Sequence, residues 1–363
     1  MSSIRGSFHE PFVRSIRAGR QIGTTASCRI AEICLVVVGV SRGTHPKPVH
    51  VGQDPERRSG HALAYPSQVP DDLVRYTSAD EDSARWAGFP FRPGDIVIST
   101  RSKSGTTWVQ MICALLVFRT PDLPTPLAEL SPWLDWSIRP RQEVYAHLAA
   151  QTHRRFIKSH TPLDGIPADP RVTYIVVGRH PLDMAVSLYH QGDNLDRQRM
   201  RQLLGQPEPD EEPHTRPDLH EWLTAWIHAD PDPRRSLDSL PGVMMHLGDA
   251  WTRRDQPNVV LVHYADLIAD LDGEMRRVAG RLGMSVPEAT WPSLVEAATF
   301  ERMRAQADRS GPDSSGVLID PTAFFRRGRS GAGVEVLSPG ELEAYEDRAA
   351  TLAQPELVAW LHR

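Results

Sequence analysis

A short β-branched run, Ile96-Val97-Ile98, gives way to a helical pattern of Trp108, Met111, Ile112, Leu115 and Leu116, and this transition constrains the fold more than any other feature. Pro93 and Gly94 mark the start of the strand, and the loop from Thr100 to Trp108 carries one glycine, one lysine and several hydroxyls. A strand that turns directly into a buried helix is the repeating unit of a parallel sheet. The first N–H groups of the helix, at the positive end of its dipole, face the loop. Gly105 lets the backbone approach a ligand closely, so the loop reads as an anion site.

Further apolar runs bounded by breakers alternate with helical stripes. Arg155-Phe156-Ile157-Lys158 is the second strand candidate, Val172 to Val177 the third and Val259 to Val262 the fourth. Pro181 opens a helix striped by Leu182, Ala185, Val186 and Tyr189; Met275, Val278, Ala279 and Leu282 stripe another, ending at Gly283. Ser338-Pro339-Gly340-Glu341 has the form of a capping box. The alternation predicts a single α/β domain whose central, mainly parallel sheet is flanked by helices.

Two stretches depart from this rhythm. Residues 1–62 hold Arg5, Arg14, Arg17, Arg20 and Arg29 among few acids, and their apolar run from Ile33 to Val38 is too short to span a bilayer. They read as an atypical, poorly ordered extension ahead of a domain at 63–363. Residues 192–241 are polar and proline-rich, with the acidic patch Glu208-Pro209-Asp210-Glu211-Glu212, and read as a lid or insertion in which the Trp222, Trp226 and Ile227 cluster suggests a helix. A net charge of −5 argues against general nucleic-acid binding but permits a local basic pocket. Cys28, Cys34 and Cys113 lack metal-ligand spacing, and their odd number suits a reducing cytoplasm.

The lysine of the loop precedes its only glycine, so the Gly-x-x-x-x-Gly-Lys-[Ser/Thr] motif of nucleotide triphosphatases is absent. The order Lys103-Ser104-Gly105-Thr106-Thr107-Trp108 instead resembles the 5′-phosphosulfate loop of the cytosolic-type sulfotransferases. Lys158-Ser159-His160 resembles the family's Lys-Thr-His motif, in which the histidine is the catalytic base. The segment from Val177 to Ser187 is similar to the family's 3′-phosphate site, with Arg179 and Ser187 as the phosphate ligands. Phe324-Phe325-Arg326-Arg327-Gly328 resembles the segment that closes over the same phosphate. The matches run in the family's order from about Gly94 to Gly331.

The resemblance implies 3′-phosphoadenosine 5′-phosphosulfate as donor and a small-molecule acceptor with a hydroxyl or amine. It implies His160, Lys103 and Lys158 in catalysis, and Ser104, Gly105, Thr106, Thr107, Trp108, Arg179, Ser187, Arg326, Arg327 and Gly328 around the nucleotide. Tyr264, Thr299 and Phe300 align with family positions near the adenine. The chemistry is consistent with these residue types: two lysines can hold charge on the transferring group, an arginine fork grips a phosphate, and a neutral histidine accepts a proton. No metal is implied. Trp133 and Trp136 suggest an apolar or aromatic acceptor wall. Three segments depart from the pattern: Arg101-Ser102 stand where Tyr-Pro is common, Arg327 replaces a lysine, and Ala332-Gly333 occupy the place of Asp-Trp. A nucleotide kinase and a non-catalytic nucleotide-binding module are the competing readings; ATP turnover would mark the first, and binding without transfer the second.

Overall fold

The computed structural model describes residues 73–207, 216–312 and 315–363. The readings of 1–62, of Cys28 and Cys34, and of the acidic patch at 208–212 therefore lie outside the described residues. Four strands, β1 (Ile96–Thr100), β2 (Phe156–Ser159), β3 (Thr173–Gly178) and β4 (Val259–His263), form one sheet in the order β2-β1-β3-β4. Every pairing is parallel, with Ile96 opposite both Phe156 and Thr173, and Gly178 opposite His263.

These strands read as near-continuous apolar runs because both faces of the sheet are covered. Period-2 alternation divides their side chains. Ile96, Ile98, Phe156, Ile175 and Val177 pack with α1 (Thr106–Phe118) on one face; Val97, Ile157, Tyr174 and Val176 enter the cluster on the other. α2 (Arg141–Ala150), α3 (Pro181–Asp193), α4 (Arg197–Leu204), α5 (Leu219–His228) and α6 (Leu240–Thr252) follow. α3, α5 and α6 cover the Val97 face. After β4 come α7 (Tyr264–Ala269), α8 (Leu271–Arg281), α9 (Trp291–Ala298) and α10 (Phe300–Ala305). α11 (Pro339–Leu352), opened by the expected capping box at Ser338 and Glu341, and α12 (Pro355–Leu361) complete the described chain.

The stretch at 192–241 is not uniform. α4 buries no residue, whereas α5 sinks Trp222, Leu223, Trp226 and Ile227 into the core. Those four positions make one apolar stripe on the helix that the Trp222, Trp226 and Ile227 cluster suggested, so this part is packed into the core. Ahead of α4 the chain is stapled to a later segment: the Asp196 amide donates to the Val317 carbonyl at 2.8 Å, and Ile319 N–H to the Asn194 carbonyl at 3.0 Å.

Since all strands run the same way, Thr100, Ser159, Gly178 and His263 end on one edge of the sheet. The chain moves from β1 to one side and then returns to β3 on the other, which opens a crevice at the carboxyl ends, where open α/β sheets bind ligands.

Candidate active site

A cavity of about 810 Å³ lies on this edge. It is lined by the loop after β1, by Lys158 of β2 and His160 just after it, by Arg179 after β3 and by Tyr264 after β4. Lys103, Gly105, Thr106, Thr107, Trp108, Ser187, Phe300, Arg326, Arg327 and Gly328 also face it. The structure therefore brings most of the sequence-predicted residues into one wall.

The loop after β1 is held in an uncommon backbone path. Gly105 has φ 111° and Lys103 φ 62°, both left-handed. A Cβ on Gly105 would fall 2.9 Å from the Tyr264 ring, so only glycine fits. Lys103 adopts that region without such licence, the kind of local strain that marks ligand-binding loops. Its Nζ donates to Gln191 Oε1 at 3.1 Å and lies 3.7 Å above the Phe324 ring. Burial lowers its pKa to about 7, and the surrounding charges, Arg179, Lys158 and Arg326, push the same way. A cluster of cations that depresses one member's pKa is a site prepared for a polyanion.

His160 is buried and tied at both ends. Its Nδ1 meets the Thr100 carbonyl, and its amide donates to Asp135 Oδ2 at 3.1 Å. A carbonyl only accepts, so Nδ1 carries the proton and Nε2 is left as the basic nitrogen. Burial, then Lys158 and Arg101, hold its pKa well below the ordinary histidine value. Lys158 lies with its Nζ 3.6 Å over the Trp133 ring, and Trp133 stacks on Trp136 at 4.7 Å. The His160 ring meets Trp133 edge-on at 4.5 Å, which places the imidazole beside an aromatic slab.

Arg179 donates to the Lys103 carbonyl at 2.9 Å and to the Arg329 carbonyl at 3.3 Å, with its guanidinium 4.2 Å over the Tyr264 ring. It thereby joins the first loop to the C-terminal segment. Its Nε is buried without a partner, as is that of Arg326. A buried donor left unpaired calls for an acceptor, and a phosphate supplies one. Gly328, at φ 63°, packs so tightly on Phe300 that a Cβ would sit 2.6 Å from the ring.

Ala332 and Gly333, which depart from the family pattern, do not leave this segment unanchored. Asp183 accepts the amides of Gly331 and Gly333 at 2.8 and 2.9 Å, and Ala332 is buried. Trp108 lines the cavity with its indole N–H donated to the Ala298 carbonyl at 2.8 Å, edge-on to Tyr264.

Two predicted residues stand elsewhere. Thr299 caps α10, accepting from Arg302 N–H and donating to Glu296, and does not line the cavity. Ser104 is buried behind the loop, its amide donated to the Arg101 carbonyl at 3.2 Å, and is likewise outside the lining.

Sequence reasoning missed Asp135 and Arg101. Asp135 accepts from Ser159 Oγ at 2.6 Å and from the amides of His160 and Thr161, so it fixes the turn that follows β2. Arg101 is buried beneath His160 and contacts Asp238. The usable signal for both was a charged residue in an otherwise apolar or tightly turned setting. Among the described residues no helix is long and apolar enough to cross a membrane, and no His, Cys, Asp and Glu cluster is arranged to hold a metal ion.

Comparisons with known proteins agree with this geometry. The chain is 42% identical over 310 residues to a glycolipid sulfotransferase of Mycobacterium bovis (strain BCG / Pasteur 1173P2), covering 80% of this chain and 94% of that protein. It is 28% identical over 267 residues to human sulfotransferase 2B1, covering 71% of this chain and 65% of that one. Among solved structures, retinol dehydratase in complex with androsterone and inactive cofactor PAP superposes with a TM-score of 0.55 at 21% identity, over 75% of this chain and 84% of the other, which shows a shared fold. The sulfotransferase domain model matches residues 93–348. With that match across most of the chain, this protein belongs to the sulfotransferase domain family.

Proposed function

We propose that the chain transfers a sulfuryl group from 3′-phosphoadenosine 5′-phosphosulfate to a hydroxyl or amine of an acceptor with an apolar or aromatic body. One observation carries the reading: a histidine of defined tautomer and a cluster of cations face the same cavity at the carboxyl edge of a parallel sheet. The residues suit the donor. It supplies an activated sulfuryl group on a nucleotide with a separate 3′-phosphate. Gly105, Thr106 and Thr107 surround its 5′ end, and Arg179, Ser187, Arg326, Arg327 and Gly328 hold the 3′-phosphate, where the partnerless guanidinium nitrogens lie. Trp108, Tyr264 and Phe300 offer ring surfaces for the base.

His160 Nε2 takes the proton from the acceptor hydroxyl. Lys103 and Lys158 hold positive charge where negative charge builds on the transferring group and the departing oxygen. The slab of Trp133 and Trp136, with Leu188, Leu195, Met200 and Leu204, forms an apolar wall for the acceptor. Similarity to a protein named as a glycolipid sulfotransferase favours a hydroxyl on a lipid-linked sugar. The proposed setting is the cytoplasm, in keeping with the free, buried thiol of Cys113.

Nucleotide discrimination tests the 3′-phosphate assignment. Titration calorimetry is expected to show adenosine 3′,5′-bisphosphate bound far more tightly than adenosine 5′-monophosphate. Arg179→Met removes a charge-assisted contact of about 1.5–3 kcal/mol, a loss of roughly 10- to 150-fold for the bisphosphate alone. Equal weakening for both nucleotides would place Arg179 elsewhere.

A further inference from the structure

Arg101 follows β1 directly, at the position where the chain departs from the family's common tyrosine, and only 2% of it is exposed. Its guanidinium reaches three separate stretches of chain. Nε and Nη2 converge on Asp238 Oδ1 at 3.1 and 2.7 Å, Nη1 donates to the main-chain carbonyl of His160, and Nη1 also lies 3.5 Å from Glu81 Oε2. Asp238 belongs to the connector between α5 and α6, where its own carbonyl accepts the Trp226 indole N–H at 2.9 Å. Arg101, Asp238, Glu81 and His160 all line the cavity.

The end of β1 therefore holds His160 twice. The carbonyl of Thr100 takes the imidazole Nδ1–H, and the side chain of the next residue, Arg101, takes the carbonyl of His160. With Asp135 on the amide, the residue is fixed at ring, carbonyl and N–H. A guanidinium is an expensive way merely to fill a buried space, because its desolvation is offset only by well-placed acceptors. Here the acceptors are the Asp238 carboxylate and the backbone of the base, with the Glu81 carboxyl 3.5 Å away.

We propose that Arg101 is a positioning residue for sulfuryl transfer: anchored on Asp238 and Glu81, it locks the main chain of His160 and so aims Nε2 at the acceptor hydroxyl. The proposal rests on the reading of His160 as base. Its geometry also adds a fixed positive charge beside the imidazole. The other groups facing His160 are Lys158, His246 and the carboxylate of Asp135, and those around Arg101 are Glu81, Asp238 and Asp135. Removing the Arg101 charge strips a cation from His160 and leaves Asp238 without its counter-charge, while Glu81, whose pKa burial already holds well above the ordinary carboxylate range, is pushed further toward its neutral form. Both changes favour the imidazolium, so the acid limb of the rate profile moves to higher pH.

The test uses the full chain with Arg101→Lys, Arg101→Met and Asp238→Asn, reading melting temperature, affinity for adenosine 3′,5′-bisphosphate, kcat and the pH–rate profile. A misaimed base is expected to lower kcat by roughly 10- to 100-fold in each variant, with bisphosphate affinity within about 2-fold of wild type. Arg101→Met is expected to shift the acid limb upward, and Arg101→Lys, which keeps the charge, to leave it in place. If Arg101→Met does not fold, the two milder variants decide on kcat and affinity. A lowered melting temperature with kcat per folded enzyme and acid limb unchanged would overturn the proposal and make Arg101 a structural ion pair. His160→Asn separates the two readings: if it keeps full turnover, the base assignment itself fails. If it is inactive while every Arg101 and Asp238 variant is fully active, only the positioning role falls.

Discussion

Replacing His160 by alanine is expected to lower turnover by roughly 10²- to 10⁴-fold, the range for losing a positioned general base. Binding of the desulfated nucleotide should change little, since the phosphate-facing groups are on other loops. Alanine also leaves the buried Thr100 carbonyl without its donor, at a cost of about 1–3 kcal/mol in stability. His160→Asn controls for this, because its side-chain amide can still donate to that carbonyl but cannot act as a base. Both variants should be equally inactive, with the asparagine form melting closer to wild type. The wild-type pH profile carries a second signature. In the proposed role His160 works as a base only when neutral, and its pKa lies well below the ordinary value of 6.5. Activity should therefore persist as pH falls through 6.5, and an acid limb at that value would contradict the burial of the imidazole.

Lys103→Ala is expected to have the next largest effect, a loss of roughly 10²- to 10³-fold in kcat, typical of removing one preorganised donor from a developing charge. Donor affinity should fall by much less, because Arg179, Arg326 and Lys158 still face the ligand. The pKa of Lys103 adds a linkage test. In the free protein it is lowered to about 7 by burial and by neighbouring cations. An anionic nucleotide raises it, so the proton-linked part of the affinity is fully present below pH 7 and declines as pH rises through the free-state value toward the bound one. Calorimetry at pH 8 in buffers of different ionisation enthalpy should show proton uptake on nucleotide binding in the wild type and less in Lys103→Ala. If instead the variant lost nucleotide binding while bound enzyme turned over normally, the loop would be an anion cradle alone.

Why some of this was legible in the sequence and some not follows from the range of the interactions. The four strands were readable because a sheet covered on both faces demands unbroken apolar runs, and Val97 and Ile98 point to opposite cores by period alone. Lys103, His160 and Arg179 stand just past strand ends and Lys158 is the last residue but one of β2, so a local pattern located them. The partners of Asp135 and Asp238 could not be found this way. Each aspartate is a polar residue in a connector whose partner is fixed only by the tertiary fold, as Asp238 is by Arg101 across 137 positions. Thr299, carried over with Phe300 from family positions near the adenine, has its hydroxyl engaged in capping a helix, a use that a sequence match does not display. Within the polar stretch 192–241 the Trp222, Trp226 and Ile227 cluster made part of α5 legible as a helix, and the depth of its burial is set by packing against the rest of the core.

Sulfuryl transfer itself is the most direct measurement. The purified chain is incubated with sulfur-labelled 3′-phosphoadenosine 5′-phosphosulfate, with and without a chelator, against a panel of phenols, sterols, amines and glycolipids, with labelled ATP in parallel. The predicted result is label on an acceptor hydroxyl or amine, undiminished by chelation and abolished by His160→Asn, with no transfer from ATP. Tight binding of the bisphosphate without transfer to any acceptor would contradict the account in favour of a nucleotide-binding module, and metal-dependent transfer from ATP would contradict it in favour of a kinase.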